Sequence, residues 1–267
     1  MGDEIKEIVM SHMRKNIIAN LLDRGERLDG RKFGEYREIE IQKGVIKTAE
    51  GSALAKIGDT QVLVAIKFEV ATPFPDRPTE GVLVTNSELL PLASPTFETG
   101  PPDENSIELA RTVDRAIRSS EAINLNSFYI EEGKVLGLFM DIYVLNHAGN
   151  YTDAATLAAS AALLDTRLPK IENGAIVRGE YVGPLNPKVI PISTTLVKIG
   201  NHWIVDPSLA EEQVYDTRIT IATTETHVCA MQKGKGCLTK DELLSNIDIA
   251  FKKGSDIREI LLSSVSS

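Results

Sequence analysis

The stretch from Ala154 to Leu164, AATLAASAALL, is built almost wholly of alanine and leucine. Wound as a helix it has no polar face to give to water, so it must be buried close against neighbours on every side. Asp153, just ahead of it, is predicted to be its N-cap. The rest of the chain has to supply the cover.

Much of that cover reads as short strands. From Arg37 to Val70 apolar and polar residues alternate, as in Ala53, Ala55 and Ile57 and then Val62, Val64 and Ile66, with Gly51 and Gly58-Asp59-Thr60 as turns. These are hairpin-connected strands with one face buried. A proline-rich connection runs from Ala71 to Asp103. It holds a predicted strand at Gly81 to Leu89 and then the loop Leu90-Pro91-Leu92-Ala93. Ser127 to Ile130 and Val135 to Leu145 are two further strands around the turn Glu131-Glu132-Gly133-Lys134. Lys170 to Lys188 reads as a Gly- and Pro-containing connection. Beyond it come a strand at Val189 to Val197, whose Pro191 suggests an edge or a strand start, and a hairpin over Trp203 to Thr223. His227 to Gln232 is another strand. The helix Lys240 to Lys253 follows, opened by Thr239 and Glu242, and the small polar tail Ser263 to Ser267 reads as mobile. At the other end, apolar residues recur at helical spacing between Glu4 and Leu22: Ile5, Ile8, Val9, Met13, Ile17, Ile18, Leu21 and Leu22. This amphipathic helix ends at Gly25, and Arg27 to Arg31 is a turn-rich linker. Strands followed by a helix in each half make a mixed α/β fold, α+β in its sheets.

Charge limits the function. A formal net charge of −9 excludes a protein that grips nucleic acid over its whole surface, so any RNA contact must be local. No apolar run is long enough for a membrane span, and the charged N-terminus lacks a signal-peptide apolar block, which predicts a cytoplasmic protein. Cys229 and Cys237 read as inert core residues near a hairpin, and the four histidines form no ligand spacing. Neither a metal nor another cofactor is expected.

Two stretches carry candidate chemistry. Asp206, Glu211, Glu212 and Asp216 lie along the loop of the 203–223 hairpin. Paired carboxylates there would hold Mg²⁺ or pass a proton to a leaving oxygen, or else the loop is simply solvated. Glu104 to Ser120 is helical, with Ile107, Val113, Ala116 and Ile117 as its apolar stripe. Arg111, Arg115 and Arg118 share another side about a turn apart, a ladder for phosphates or carboxylates. The alternative is a helix laced by its own acids, Glu108 and Asp114.

The acid loop and the helix at Asp153 resemble the RNase PH-type phosphorolytic exoribonucleases, and among them the non-catalytic ring subunits of the archaeal exosome, from about Leu28 to the C-terminal helix. The resemblance implies an RNase PH-like fold of two pseudo-duplicated βα halves: an N-terminal helix over 1–27, a first half over 28–170, a connection over 171–188, a second half over 189–260 and a tail over 261–267. In the family an acid-initiated loop carries a Glu-Asp pair and then a second Asp before the strand. Laid on it, Asp206 and Glu211 match, Glu212 falls on the first catalytic Asp, and Arg218 falls on the second. A guanidinium has no acceptor and keeps its proton. Active relatives open the helix with Asp-Ala-Gly-Ser-Arg or Asp-Gly-Gly-Thr-Arg to receive inorganic phosphate. Here Asp153-Ala154-Ala155-Thr156-Leu157 lacks that glycine and that arginine. An arginine pair before the family's preceding helix is replaced by Glu104-Asn105. The resemblance therefore implies no catalytic residue and no cofactor. It implies RNA-binding by Arg111, Arg115 and Arg118 in a central channel. It also implies partnership with a catalytic RNase PH-like paralogue in heterodimers that form a trimer of dimers, with RNA-binding cap subunits and single-stranded RNA. Two other readings stand beside it: an active phosphorolytic 3'-to-5' exoribonuclease using Glu212, Asp206 or Asp216 from a shifted loop, and a scaffold whose arginines are all tied up.

Overall fold

A computed structural model describes residues 2–265, with side chains described for 13–264. The alanine-rich helix is α3 (Tyr151–Asp165), and every residue from Asp153 to Leu163 in it is buried. It lies between two sheets, and the small Ala side chains let both approach its backbone closely.

The first sheet contains β1 (Ile39–Lys43), β2 (Gly51–Ile57), β3 (Thr60–Ala71), β4 (Val82–Leu89), β5 (Tyr129–Glu131) and β6 (Lys134–Asn146). Its order is β1-β2-β3-β6-β4, with β5 paired to β6. Only β4 runs parallel to β6. A parallel pair needs a long crossover, and α2 (Glu104–Ser119) provides it. Val62, Val64, Ile66, Phe68, Leu138, Met140 and Ile142 point inward from β3 and β6 and join α3 in the main core.

The loop read as a connection is instead a hairpin, β7 (Arg167–Glu172) with β8 (Ala175–Pro184). Asn173 and Gly174 both have positive φ, the geometry of a tight two-residue hairpin turn. The second sheet follows: β9 (Ile192–Ile199), β10 (His202–Val205), β11 (Thr217–Thr223) and β12 (Val228–Lys233), in the order β10-β9-β11-β12. The 203–223 segment is therefore not a hairpin, because β10 and β11 flank β9 on opposite sides. Between them lies the one-turn helix α4 (Leu209–Glu212).

On β9, Ser193 and Thr195 bond to α3 residues Thr156 and Asp153. Val197 and Ile199 pack with Ile18 and Leu22 of α1 (Gly2–Asp23). Met13 and Ile17, assigned to the apolar face of α1, are more than half exposed, while the side chains of Ile5, Ile8 and Val9 lie outside the described residues. Leu196 packs with Ala250 of α5 (Lys240–Val265). That helix runs past the predicted stop at Lys253 and through most of the predicted tail; Ser266 and Ser267 lie outside the described residues. Gly254 does not end it: a Cβ there would lie 2.5 Å from Thr223 Oγ1, so the glycine serves close approach of helix and sheet. Beyond it Ile257 and Leu261 are buried in the main core and tie the two halves together.

Candidate functional site

The four acids of the 206–216 loop go to different places. Asp206 has no exposed surface and a positive φ. Its carboxylate accepts from Arg37 Nε (2.9 Å), NH2 (2.7 Å) and backbone N (2.9 Å), from Arg31 NH1 (2.8 Å) and from Asn150 Nδ2 (2.8 Å). Burial alone would raise its pKa, but the Arg37 guanidinium holds it below the usual carboxylate range. Glu211 is equally enclosed. It accepts from Arg27 Nε (2.9 Å) and NH2 (2.6 Å) and caps α4 by accepting from the Ser208 N–H (2.8 Å). Asp216 is near the surface, paired with Lys15 of α1 and accepting from Gly200 N. Arg27 and Arg31 belong to the stretch read only as a turn-rich linker. Their spacing before the first strand, with Arg37, was the available signal that cations would be brought to buried acids.

Glu212 is the remaining acid, and it sits at the start of α3. Its Oε1 accepts from Asn150 N at 2.7 Å, and its Oε2 lies 3.8 Å from His147 Nε2. Gly149 makes this approach possible: with φ of 101° and no Cβ, it lets the backbone of 207–209 lie against it, where a Cβ would be 2.5 Å from Pro207 O and Leu209 N. An acidic side chain of the protein itself thus takes an outward N–H at the start of α3, the place where a helix binds anions. Asp153 does not cap that helix as predicted. Asn150 is the N-cap, in left-handed conformation. Asp153 stands inside the first turn and accepts from Tyr36 OH (2.7 Å), Asn150 Nδ2 (2.8 Å), Thr195 N (2.9 Å) and Thr195 Oγ1 (2.7 Å). Ala155 and Leu157 are both fully within the main core.

Burial pushes the Glu212 carboxyl up to about 7, against the Asn150 N–H and the charges of Arg218 and Arg37. A folded-state pKa above the ordinary glutamate value of 4.5 means that the native state holds the proton more tightly. Stability from this group is full below about pH 4.5 and is lost as pH rises through about 7. Glu212→Gln is therefore expected to match the wild type near pH 4.5 and to be more stable above pH 7, by on the order of 2 kcal/mol. Thermal melts across that range check this, and a difference that does not change with pH overturns it.

The arginines of α2 separate into three cases. Arg118 is paired with Asp114 at 3.0 Å and also donates to Leu83 O. Arg115 donates to Gln232 Oε1 on β12, while its buried Nε has no partner among the described residues. Arg111 is exposed and makes no hydrogen bond or ion pair among the described residues. Arg111, Arg115, Glu104, Ile107, Glu108 and Gln232 line a cleft of about 350 Å³. Ile107, predicted to face the core, is half exposed at its edge, and Leu109 and Thr112 are buried in its stead. Arg218, on β11, pairs with Glu108. Gln232 was not picked out from the sequence, for a lone polar residue at a strand end gives no signal.

Neither cysteine is in the core; Cys237 is exposed and Cys229 half-buried, and both are free thiols. Among the described residues no group of three His, Cys, Asp or Glu side chains is arranged to hold a metal ion, and no helix is long and apolar enough to cross a membrane.

Two sheets that meet on the buried helix α3, with Asp206 and Glu212 reaching Asn150 at its start, are the features to set beside known proteins. Residues 35–169 match domain 1 and residues 190–253 match domain 2 of the 3' exoribonuclease (RNase PH) family, and the chain belongs to that family. It is 51% identical to the exosome complex component Rrp42 of Thermococcus gammatolerans, over 97% of both chains, and 47% identical to that of Methanothermobacter thermautotrophicus, again over 97% of both. Among solved structures it is similar to a chain of the Archaeoglobus fulgidus exosome with RNA bound to the active site, with a TM-score of 0.85 and 44% identity over 94% of this chain and 98% of that one. A chain of an archaeal exosome core gives 0.84 and 42%, covering 96% and 99%.

Proposed function

We propose that the chain is a ring subunit of an exosome that degrades RNA from 3' to 5', and that it has no active site of its own. It alternates with a catalytic RNase PH-like paralogue as a trimer of heterodimers in the cytoplasm. It buttresses the paralogue's active site, and RNA-binding cap subunits sit on the ring. The names of its relatives support the assembly. The absence of catalysis is carried by one observation: each acid of the loop is already engaged within the chain. Asp206 and Glu211 neutralise buried arginines, Glu212 takes the N–H at the start of α3, and Arg218 stands where a relative would have its second acid. Ala155 and Leu157, buried in the core, leave no glycine or guanidinium there to receive phosphate.

The same reading assigns the cleft on α2 to the backbone of single-stranded RNA, with Arg111 and Arg115 as contacts. Arg118, held by Asp114, contributes least. A cleft bearing two guanidiniums on a chain of net charge −9 suits a local contact and not a general one.

The chain purified alone, given single-stranded RNA with inorganic phosphate and Mg²⁺, is expected to release no nucleoside diphosphate. Adding the catalytic paralogue is expected to produce turnover. Nucleoside diphosphate from the lone chain would favour the active-enzyme reading and sink this one.

A further inference from the structure

On α2, Glu108 precedes Arg111 by three residues, a spacing at which an acid and an arginine ordinarily meet on a helix. They do not meet here. The Glu108 carboxylate accepts from Arg218 NH2 and lies 3.4 Å from Gln232 Nε2, both from the second sheet. Asp114, three residues after Arg111, is taken by Arg118. Arg111 is thereby left without an acid of its own chain among the described residues.

The reach of Arg218 is built into the neighbouring turn. Gly234 N donates to Arg218 O, Arg218 N donates to Lys235 O, and a Cβ at Gly234 would lie 3.0 Å from Arg218 Nε and 3.3 Å from its Cβ. The arginine stem lies along this bare backbone and reaches Glu108 with the side chain about one-fifth exposed. The Lys233-Gly234-Lys235-Gly236 turn thus acquires a use: its glycine leaves room for the cation that holds Glu108.

We infer that Arg218 is a positioning residue that engages the Glu108 carboxylate at the edge of the cleft, so that Glu108 does not pair with Arg111 and the arginines stay available to RNA phosphates. This rests on the reading that these arginines line the RNA path. Gln232 assists from the same strand pair, touching both Glu108 and Arg115. Without Arg218, the nearest cation to Glu108 along its helix is Arg111, one turn away. A Glu108–Arg111 pair would cancel the charge that a phosphate seeks.

The test is fluorescence anisotropy of a labelled single-stranded oligoadenylate, titrated over a salt series with the complex of the full chain and its catalytic partner. Arg111→Gln is expected to lower the salt slope by about 0.7, one phosphate contact on a single strand. Arg218→Gln is expected to weaken binding roughly fivefold, the upper range for one surface ion pair, with a similar fall in slope. Glu108→Gln combined with Arg218→Gln is expected to restore wild-type binding, which a variant that merely disturbed the fold would not do. Wild-type binding by Arg218→Gln overturns the inference, as does a double variant as weak as the single one, while Arg111→Gln stays informative about the path. An unchanged slope with Arg111→Gln overturns the RNA path itself and the inference with it.

Discussion

Asp206→Asn is expected to lower the stability of the chain by about 3–5 kcal/mol, the cost of removing one partner from a buried ion pair. The variant keeps the shape of the side chain and suits the left-handed backbone at this position, where asparagine is tolerated, so backbone strain does not enter. What it removes is the negative charge facing Arg31 and Arg37, whose side chains are only 11% and 13% exposed. Arg31 keeps Asp29 as a partner at 2.7 Å. Arg37 is left with no carboxylate partner, only neutral acceptors such as the Ala148 and Gly149 carbonyls and the Thr60 hydroxyl. Denaturant unfolding at neutral pH measures the loss. A change below about 1 kcal/mol would mean that the cluster behaves as a solvated surface pair, and would return Asp206 to the candidates for chemistry. The pH dependence has the opposite sign to that of Glu212. The depressed Asp206 pKa contributes stability that is present above its unfolded value and is lost as pH falls through the folded one.

Leu157→Arg is expected to destabilise the chain by about 4 kcal/mol or more, and not to rebuild a phosphate site. Leu157 is 1% exposed and lies in the main core, on a helix enclosed from Asp153 to Leu163. A guanidinium there has no acid waiting. Asp153 is already saturated by Tyr36, Asn150 and Thr195, and Glu212 is engaged with Asn150 N. Reduced melting temperature and soluble yield are the readouts. A stable variant that binds orthophosphate would show that the cradle is latent, and that its loss rests on one residue.

These two sites also separate what was legible in the chain from what was not. The alternation of Val62, Val64 and Ile66, like the strands on either side of Glu131 to Lys134, gave the first sheet its faces, because a period of two has one buried solution. The α2 helix was legible to its last turn, yet Ile107 was assigned inward when Leu109 and Thr112 face the core. Helical spacing defines a stripe only to within about one residue on either side. The Trp203 to Thr223 segment was read as a hairpin because two strand patterns flank a polar loop. Only the registers show β9 lying between them. The last helix was read to stop at Lys253, but α5 continues to Val265, with Gly254 permitting contact with Thr223.

The candidate site divides along the same line. That Arg218 cannot serve as an acid, and that Leu157 cannot receive a phosphate, follows from residue chemistry at those positions and holds in any fold. An alanine–leucine helix likewise had to be buried, since no side of it welcomes water. Which acid of the 206–216 loop meets which cation was settled by partners 169 to 201 residues apart, as in Arg37 with Asp206 and Lys15 with Asp216. Local spacing favoured Glu108 with Arg111; the fold supplied Arg218 instead. Charge pairing depends on distance in space, which the one-dimensional order constrains only within a turn or two of helix.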